Sequence, residues 1–250
     1  MPRLVSTILP ALSIAVLMML PLLNAGNRQR VSPDENSIPA INLIDSAQYN
    51  PDTEMTMIYD SLELEKYGLN KEAFNYAYTG YKKLQEQGTL EKEGILTICD
   101  FSQSSKRKRL YLVDLNEYKL LLNTYVAHGR NSGAEYARKF SNRPESKQSS
   151  LGFYKTKKTY YGSHGLALTL AGLEAGINDK AERRKIVVHG SAYIGESYLR
   201  MSRYMGRSFG CPAVPKKYSA KLINTIKGGS CLFIYHPSKN YLAGSKILNG

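Results

Sequence analysis

Tryptophan is absent from the 250 residues, and cysteine occurs only three times. An odd count leaves at least one thiol unpaired, so a disulfide framework does not explain all of them. The chain has no HExxH and no CxxC, which removes the usual zinc spacings and leaves no support for a metal site. It has no GxSxG elbow and no glycine-rich phosphate loop, which removes the serine-hydrolase and P-loop readings. Acidic residues are also scarce, 21 against 34 lysines and arginines, for a formal charge of +13. That balance selects anionic partners: nucleic acid, phospholipid head groups or a carboxylate-rich polymer.

The N-terminus narrows those partners. Arg3 precedes an apolar run from Leu4 to Leu23, followed by polar "NAGNRQR". Residues 1–26 thus read as an export signal or a signal-anchor, the latter implying membrane association. An exported basic protein meets the wall and outer surface of a bacterium rather than nucleic acid. Localisation is therefore expected in the periplasm or cell envelope, with anchoring in the inner membrane as the variant. Residues 27–50 are polar and proline-spaced, a linker.

Two helices are expected in residues 51–92. "TEMTMIYDSLELEKYG" carries Met55, Ile58 and Leu62 at helical spacing up to Gly68. "NKEAFNYAYTGYKKLQEQG" carries Phe74, Ala77, Tyr81 and Leu84 on one face, with Asn70 as cap and Gly88 as stop. The period then changes. "GILTICDF", "RLYLVDL" and "YKLLLNTYVAHG" read as a three-strand meander, with Lys106 to Arg109 in a solvated hairpin tip. "SSLGFYKT", "GLALTL", "KIVVHG" and "SCLFIY" add strands, and "PKKYSAKLINTIKGG" interrupts them as a helix. The fold class is mostly β (α+β), with a small helical segment ahead of a domain over residues 93–240.

Two cysteines, Cys99 and Cys231, lie in strand-like apolar runs and read as buried packing residues, free to pair with each other or not. Cys211 differs. "RSFGCPAV" sets it between Gly210 and Pro212, a tight corner that lifts a sulfur clear of a sheet and aims backbone N–H groups at whatever it attacks. A free thiol is only a few per cent thiolate at neutral pH and needs a partner base. Of the four histidines, His189 ends the β-branched run Ile186 to Val188, a position where catalytic side chains sit at strand ends. It is assigned as that base, 22 residues before the thiol.

These motifs identify the chain as resembling the murein L,D-transpeptidase catalytic family (YkuD-like), in its branch of longer exported proteins. The resemblance runs from about residue 60 to 237. It includes "LTICDFSQSSKRKRLYLVDL", "VAHGRNSG", "YYGSHGLALTLAGLEAGINDKA", "IVVHG" and "GRSFGCPAVP". It implies a β-sandwich catalytic domain without cofactor, with Cys211 as nucleophile and His189 as base. The carbonyl of Gly190 or Ser191 would orient the imidazole. The N–H groups of Phe209, Gly210 and Cys211 would form the oxyanion hole, and Ser208, Arg207 and His164 would line the substrate cleft.

The implied reaction is on peptidoglycan stem peptides. The thiolate attacks the carbonyl of the third residue of a tetrapeptide, and an amine from another stem takes the acyl group, giving 3→3 cross-links in cell wall biogenesis. If water takes it, the enzyme is an L,D-carboxypeptidase or a hydrolase of protein–peptidoglycan links. A non-catalytic wall-binding protein is the remaining alternative. Two departures stand out: the wider family usually has histidine where this chain has Phe209, and a small residue and asparagine where it has Pro212 and Ala213.

Overall fold

The computed structural model describes residues 51–250. The segments read as an export signal and a linker lie outside the described residues. Among those described, no helix is long and apolar enough to cross a membrane.

Helix α1 (Pro51–Ser61) is shorter than its apolar spacing predicts. The chain turns at Glu63, in the left-handed region at φ +49°, so that Leu62, Leu64 and Leu69 bury beside Tyr59 instead of extending the helix to Gly68. Helix α2 (Lys71–Glu86) forms where its pattern predicts. The Asn70 side chain accepts from the Glu72 N–H at 2.8 Å, a standard cap. Its apolar face, from Phe74 to Leu84, enters the same core as the strands.

Eight strands form one hydrogen-bonded sheet, in the order β3-β2-β1-β8-β4-β5-β6-β7. The first three, β1 (Ile95–Asp100), β2 (Leu110–Asp114) and β3 (Lys119–Thr124), are the antiparallel meander. Strands β4 (Gly152–Gly162) and β5 (Gly165–Gly172) are a long hairpin. Strand β6 (Val187–Ser191) carries His189, and β7 (Ala213–Pro215) begins two residues after Cys211. Helix α3 (Glu196–Leu199) lies between these two strands. After β7, α4 (Lys216–Ile226) leads into β8 (Cys231–Tyr235), which pairs parallel with β1. Two short helices, α5 (Lys239–Gly244) and α6 (Lys246–Asn249), close the chain. The mostly-β class is as expected. The sandwich implied by the resemblance is, in hydrogen-bonding terms, one continuous sheet with α2 and α4 packed on it.

One open alternative closes here and one expectation changes. Cys99 and Cys231 are buried and unpaired, because β1 and β8 register Leu96, not Cys99, against Cys231. Three residues of offset is about 10 Å along a strand, beyond disulfide reach. The run Lys106 to Arg109 is solvated only through Lys108. Arg109 is fully buried. Its guanidinium donates to the carbonyls of Val126 and Gln103, lies 4.8 Å from the Phe101 ring, and donates to His128 Nδ1 at 2.7 Å. Burial and this arginine push His128 down to about 3, so it is neutral and fixed, with Nε2–H on the Gly133 carbonyl.

Because α2 shares the core, Phe74→Ala is expected to destabilise the whole domain by about 3–5 kcal/mol. Chemical denaturation followed by tyrosine fluorescence and circular dichroism checks this. A helical segment that melted alone, leaving the main transition in place, would contradict it.

Candidate active site

The cysteine corner is positioned by three neighbouring stretches. On one side, β7 pairs parallel with β6, His189 opposite Ala213. Extended two residues back, this register sets Cys211 beside Val187, whose N–H points at the sulfur. Val187 and His189 share a face of β6, since alternate residues do, so thiol and imidazole line one cleft. On the other side, the "VAHGR" segment runs along the corner. Ala127 N–H donates to Ala213 O at 2.8 Å, Ser208 N–H to His128 O at 3.0 Å, and Arg130 N–H to Ser208 O at 2.7 Å. Beneath it, Ser149 Oγ donates to Gly210 O at 3.3 Å.

Glycine is required twice. Gly210 has φ +121°, and a Cβ there would meet the Gln148 carbonyl at 2.8 Å. A Cβ on Gly190 would lie 2.6 Å from Ser219 Oγ, because α4 packs directly on β6.

The cleft has a volume of about 690 Å³. His189 is buried, and its Nδ1–H donates to its neighbour's carbonyl, Gly190 O, at 3.1 Å. That bond fixes the tautomer and leaves Nε2 as the proton acceptor. Of the two carbonyls named from the resemblance, Gly190 therefore holds the imidazole; Ser191 instead turns its hydroxyl to the Tyr193 N–H at 3.3 Å. Desolvation lowers the His189 pKa, and the His164 ring adds to this. His164, at the tip of the β4–β5 hairpin, stacks on it with centroids 4.4 Å apart.

The Cys211 thiol donates to Lys185 O at 3.7 Å. Burial raises its pKa above the ordinary value, against smaller lowering effects from the Val187 N–H and Arg184. Thiol and imidazole are thus both neutral at rest, rather than a thiolate–imidazolium pair.

The remaining sequence candidates divide. Ser208 is buried within the corner: its Oγ donates to Cys211 O at 2.6 Å and accepts from Gly210 N–H at 3.0 Å. This corrects the oxyanion-hole expectation at one position, because the Gly210 N–H is taken. The N–H groups of Phe209 and Cys211 meet no acceptor among the described residues. Arg207 lines the cleft while donating to the carbonyls of Arg130 and Gly133. Among the described residues, no group of three or more His, Cys, Asp or Glu is placed to hold a metal ion.

Sequence reasoning missed Arg184. It lies in "KAERRKIVV", a charged run just ahead of β6. In the fold its guanidinium donates to Ser141 O, Ser150 Oγ, Ser146 Oγ and Gln148 O, tying residues 141–150 to the cleft. The only available signal was its position five residues before His189. Lys147, Glu145, Tyr160 and Tyr193 also line the cleft, and none of them is among the site residues expected from the sequence.

No curated protein matches the chain. Solved structures that resemble it include an L,D-transpeptidase from Mycobacterium smegmatis (10% identity, 57% of this chain and 59% of that chain, TM-score 0.36). The helical cell shape determining protein Pgp2 from Campylobacter jejuni is 15% identical over 64% of this chain and 56% of its own, with a TM-score of 0.36. An L,D-transpeptidase from Xylanimonas cellulosilytica DSM 15894 is 14% identical over 72% and 93%, with a TM-score of 0.33. The chain spans less than two thirds of the first two. The YkuD_2 family, described as the L,D-transpeptidase catalytic domain, matches residues 65–235, well over half of the chain. The chain belongs to the L,D-transpeptidase catalytic domain family.

Proposed function

We propose that this protein is a cysteine-dependent L,D-transpeptidase of the cell envelope, acting on peptidoglycan tetrapeptide stems through a Cys211 thioester. The observation that carries the reading is the β6–β7 register, which brings His189 and Cys211 to one cleft. As Sγ attacks the carbonyl carbon of the third stem residue, its proton passes to His189 Nε2. The C–N bond to the terminal D-alanine breaks, and the same proton leaves on the departing amine. The oxyanion is met by the N–H groups of Phe209 and Cys211. An amine of a second stem then attacks the thioester: a C–N bond forms, the C–S bond breaks, and the amine proton returns to the sulfur through His189. Water at the same step gives the carboxypeptidase product. The excess of positive charge suits a polymer rich in carboxylates.

Incubating the full-length protein with a disaccharide-tetrapeptide and resolving products by mass spectrometry tests the reaction. The expected products are 3→3 dimers, lost by at least about a thousandfold in Cys211→Ala. Tripeptides alone would place the enzyme among carboxypeptidases, and the absence of any turnover would sink the enzymatic reading.

The base is tested separately by acylation with a carbapenem. His189→Ala is expected to slow it by about 10²–10⁴-fold. His128→Gln, which keeps an acceptor for the Arg109 guanidinium, is expected to acylate normally once folded.

The neutral pair also predicts a pH profile. With the thiol pKa above its ordinary 9.0 and the imidazole below its ordinary 6.5, the thiolate fraction is still increasing through the alkaline range. Alkylation of Cys211 by iodoacetamide should therefore accelerate steadily from about pH 7 to about pH 9. A flat rate over that interval would mean a preformed thiolate and overturn the assignment.

A further inference from the structure

The phenyl ring of Phe209 has no part in this chemistry, yet it stands 65% exposed at the cysteine corner. Two cations lie over it: the Lys147 ammonium at 5.4 Å and the Arg130 guanidinium at 5.9 Å. Lys147 lines the Cys211 cleft. Arg130 lines a second groove of about 440 Å³, whose walls also include Tyr198, Arg203 and Tyr204. Arg207 and Phe209 line both, so these two side chains are a shared wall between the cleft and the groove.

The groove holds three guanidinium groups. That of Arg207 stacks over Tyr204 at 5.4 Å and is oriented by the carbonyls of Arg130 and Gly133. None of the three makes an ion pair among the described residues. Glu135, the carboxylate that feels Arg203, is already engaged by Ser104 Oγ at 2.5 Å and by Lys106 at 3.2 Å. Planar guanidinium groups that make no ion pair, set among aromatic rings, recognise carboxylates through paired N–H donors. The ligand such a groove takes is an extended molecule with more than one carboxylate.

Transpeptidation needs such a ligand at this place. While the donor occupies the cleft as a thioester, the attacking amine has to approach from outside it, and the groove adjoins the thiol across one ring. We infer that the arginine groove is the acceptor subsite: Arg130 and Arg203 hold the carboxylates of a second stem peptide while its amine passes Phe209 to the Cys211 thioester. This rests on the proposed transpeptidase reading.

The test uses the full-length protein, wild type and Arg130→Ala/Arg203→Ala, with a disaccharide-tetrapeptide as donor and a disaccharide-tripeptide as acceptor. The tripeptide has the amine and carboxylates but no terminal D-alanine to lose. In the double variant the acceptor KM is expected to rise about tenfold and the hydrolysed share of the thioester to increase, while the acylation rate stays within about twofold. Amidating the acceptor's carboxylates should cost the wild type a similar factor and the double variant little more. Acylation and exchange falling in step, or exchange unchanged, would overturn the assignment. So would inorganic phosphate competing as strongly as the tripeptide, since the groove would then be a general anion site. If the wild type fails to acylate at all, the transpeptidase reading falls instead. The groove is then read by tripeptide affinity in calorimetry, where the double variant must bind about tenfold more weakly or the carboxylate assignment falls too.

Discussion

The parallel pairing of β6 with β7 is the constraint on which the site depends. It is short, three residue pairs from His189 to Ser191, and alone it would be marginal. What holds it is the surrounding bracing. The segment from Val126 to Arg130 is bonded to the corner from the other side, and that segment is itself anchored by the buried Arg109 through Val126 O and His128. A buried guanidinium is costly unless its donors are satisfied. Here they meet two carbonyls and an imidazole with its proton displaced to the far nitrogen. The same cost makes the arrangement specific, since a shifted register would strand a charge inside the core. His128 thus serves the site without entering it.

Burial then sets the electrostatics of Cys211 and His189. Desolvation disfavours charge on both side chains, raising the thiol and lowering the imidazole. On the proposed mechanism, a neutral pair is a weaker resting nucleophile than a thiolate, but it leaves His189 free to take the proton at the moment of attack. Arg184 partly offsets the burial of the sulfur, and its four hydrogen bonds also fix the loop that supports Gly210. The stacked His164 ring continues the cleft wall from His189 out to the hairpin tip.

Much of this was legible in the residues. The meander, α2 with its Asn70 cap, and α4 follow from period and capping alone, because each buries one clear apolar face. Cys211 and His189 were legible from their glycine contexts, and the fold brings them to one cleft. Arg109 was not legible, because nothing in "SKRKR" distinguishes the one residue that is buried, just ahead of β2, from three that face solvent. Strand β7 was hidden for a different reason: three residues carry no periodicity, and its existence depends on partners far away in sequence. The Gly210 N–H was assigned outwards because a corner glycine suggests a free donor. Only the coordinates reveal that Ser208 turns back to take it.

The corner therefore does two things with one short sequence. Its buried side, from Ser208 Oγ to the Gly210 carbonyl, is closed by hydrogen bonds to itself and to Ser149. Its exposed side is the Phe209 ring, which makes no hydrogen bond and offers a face to cations from both directions. A polar side chain at that point would have to be solvated or paired between two arginine-bearing walls. A phenyl ring separates them without competing for the carboxylates proposed to bind there, and its quadrupole draws the cations inwards. On the proposed reading, a corner closed beneath and non-competing above holds an acyl group on one side while a charged peptide approaches from the other.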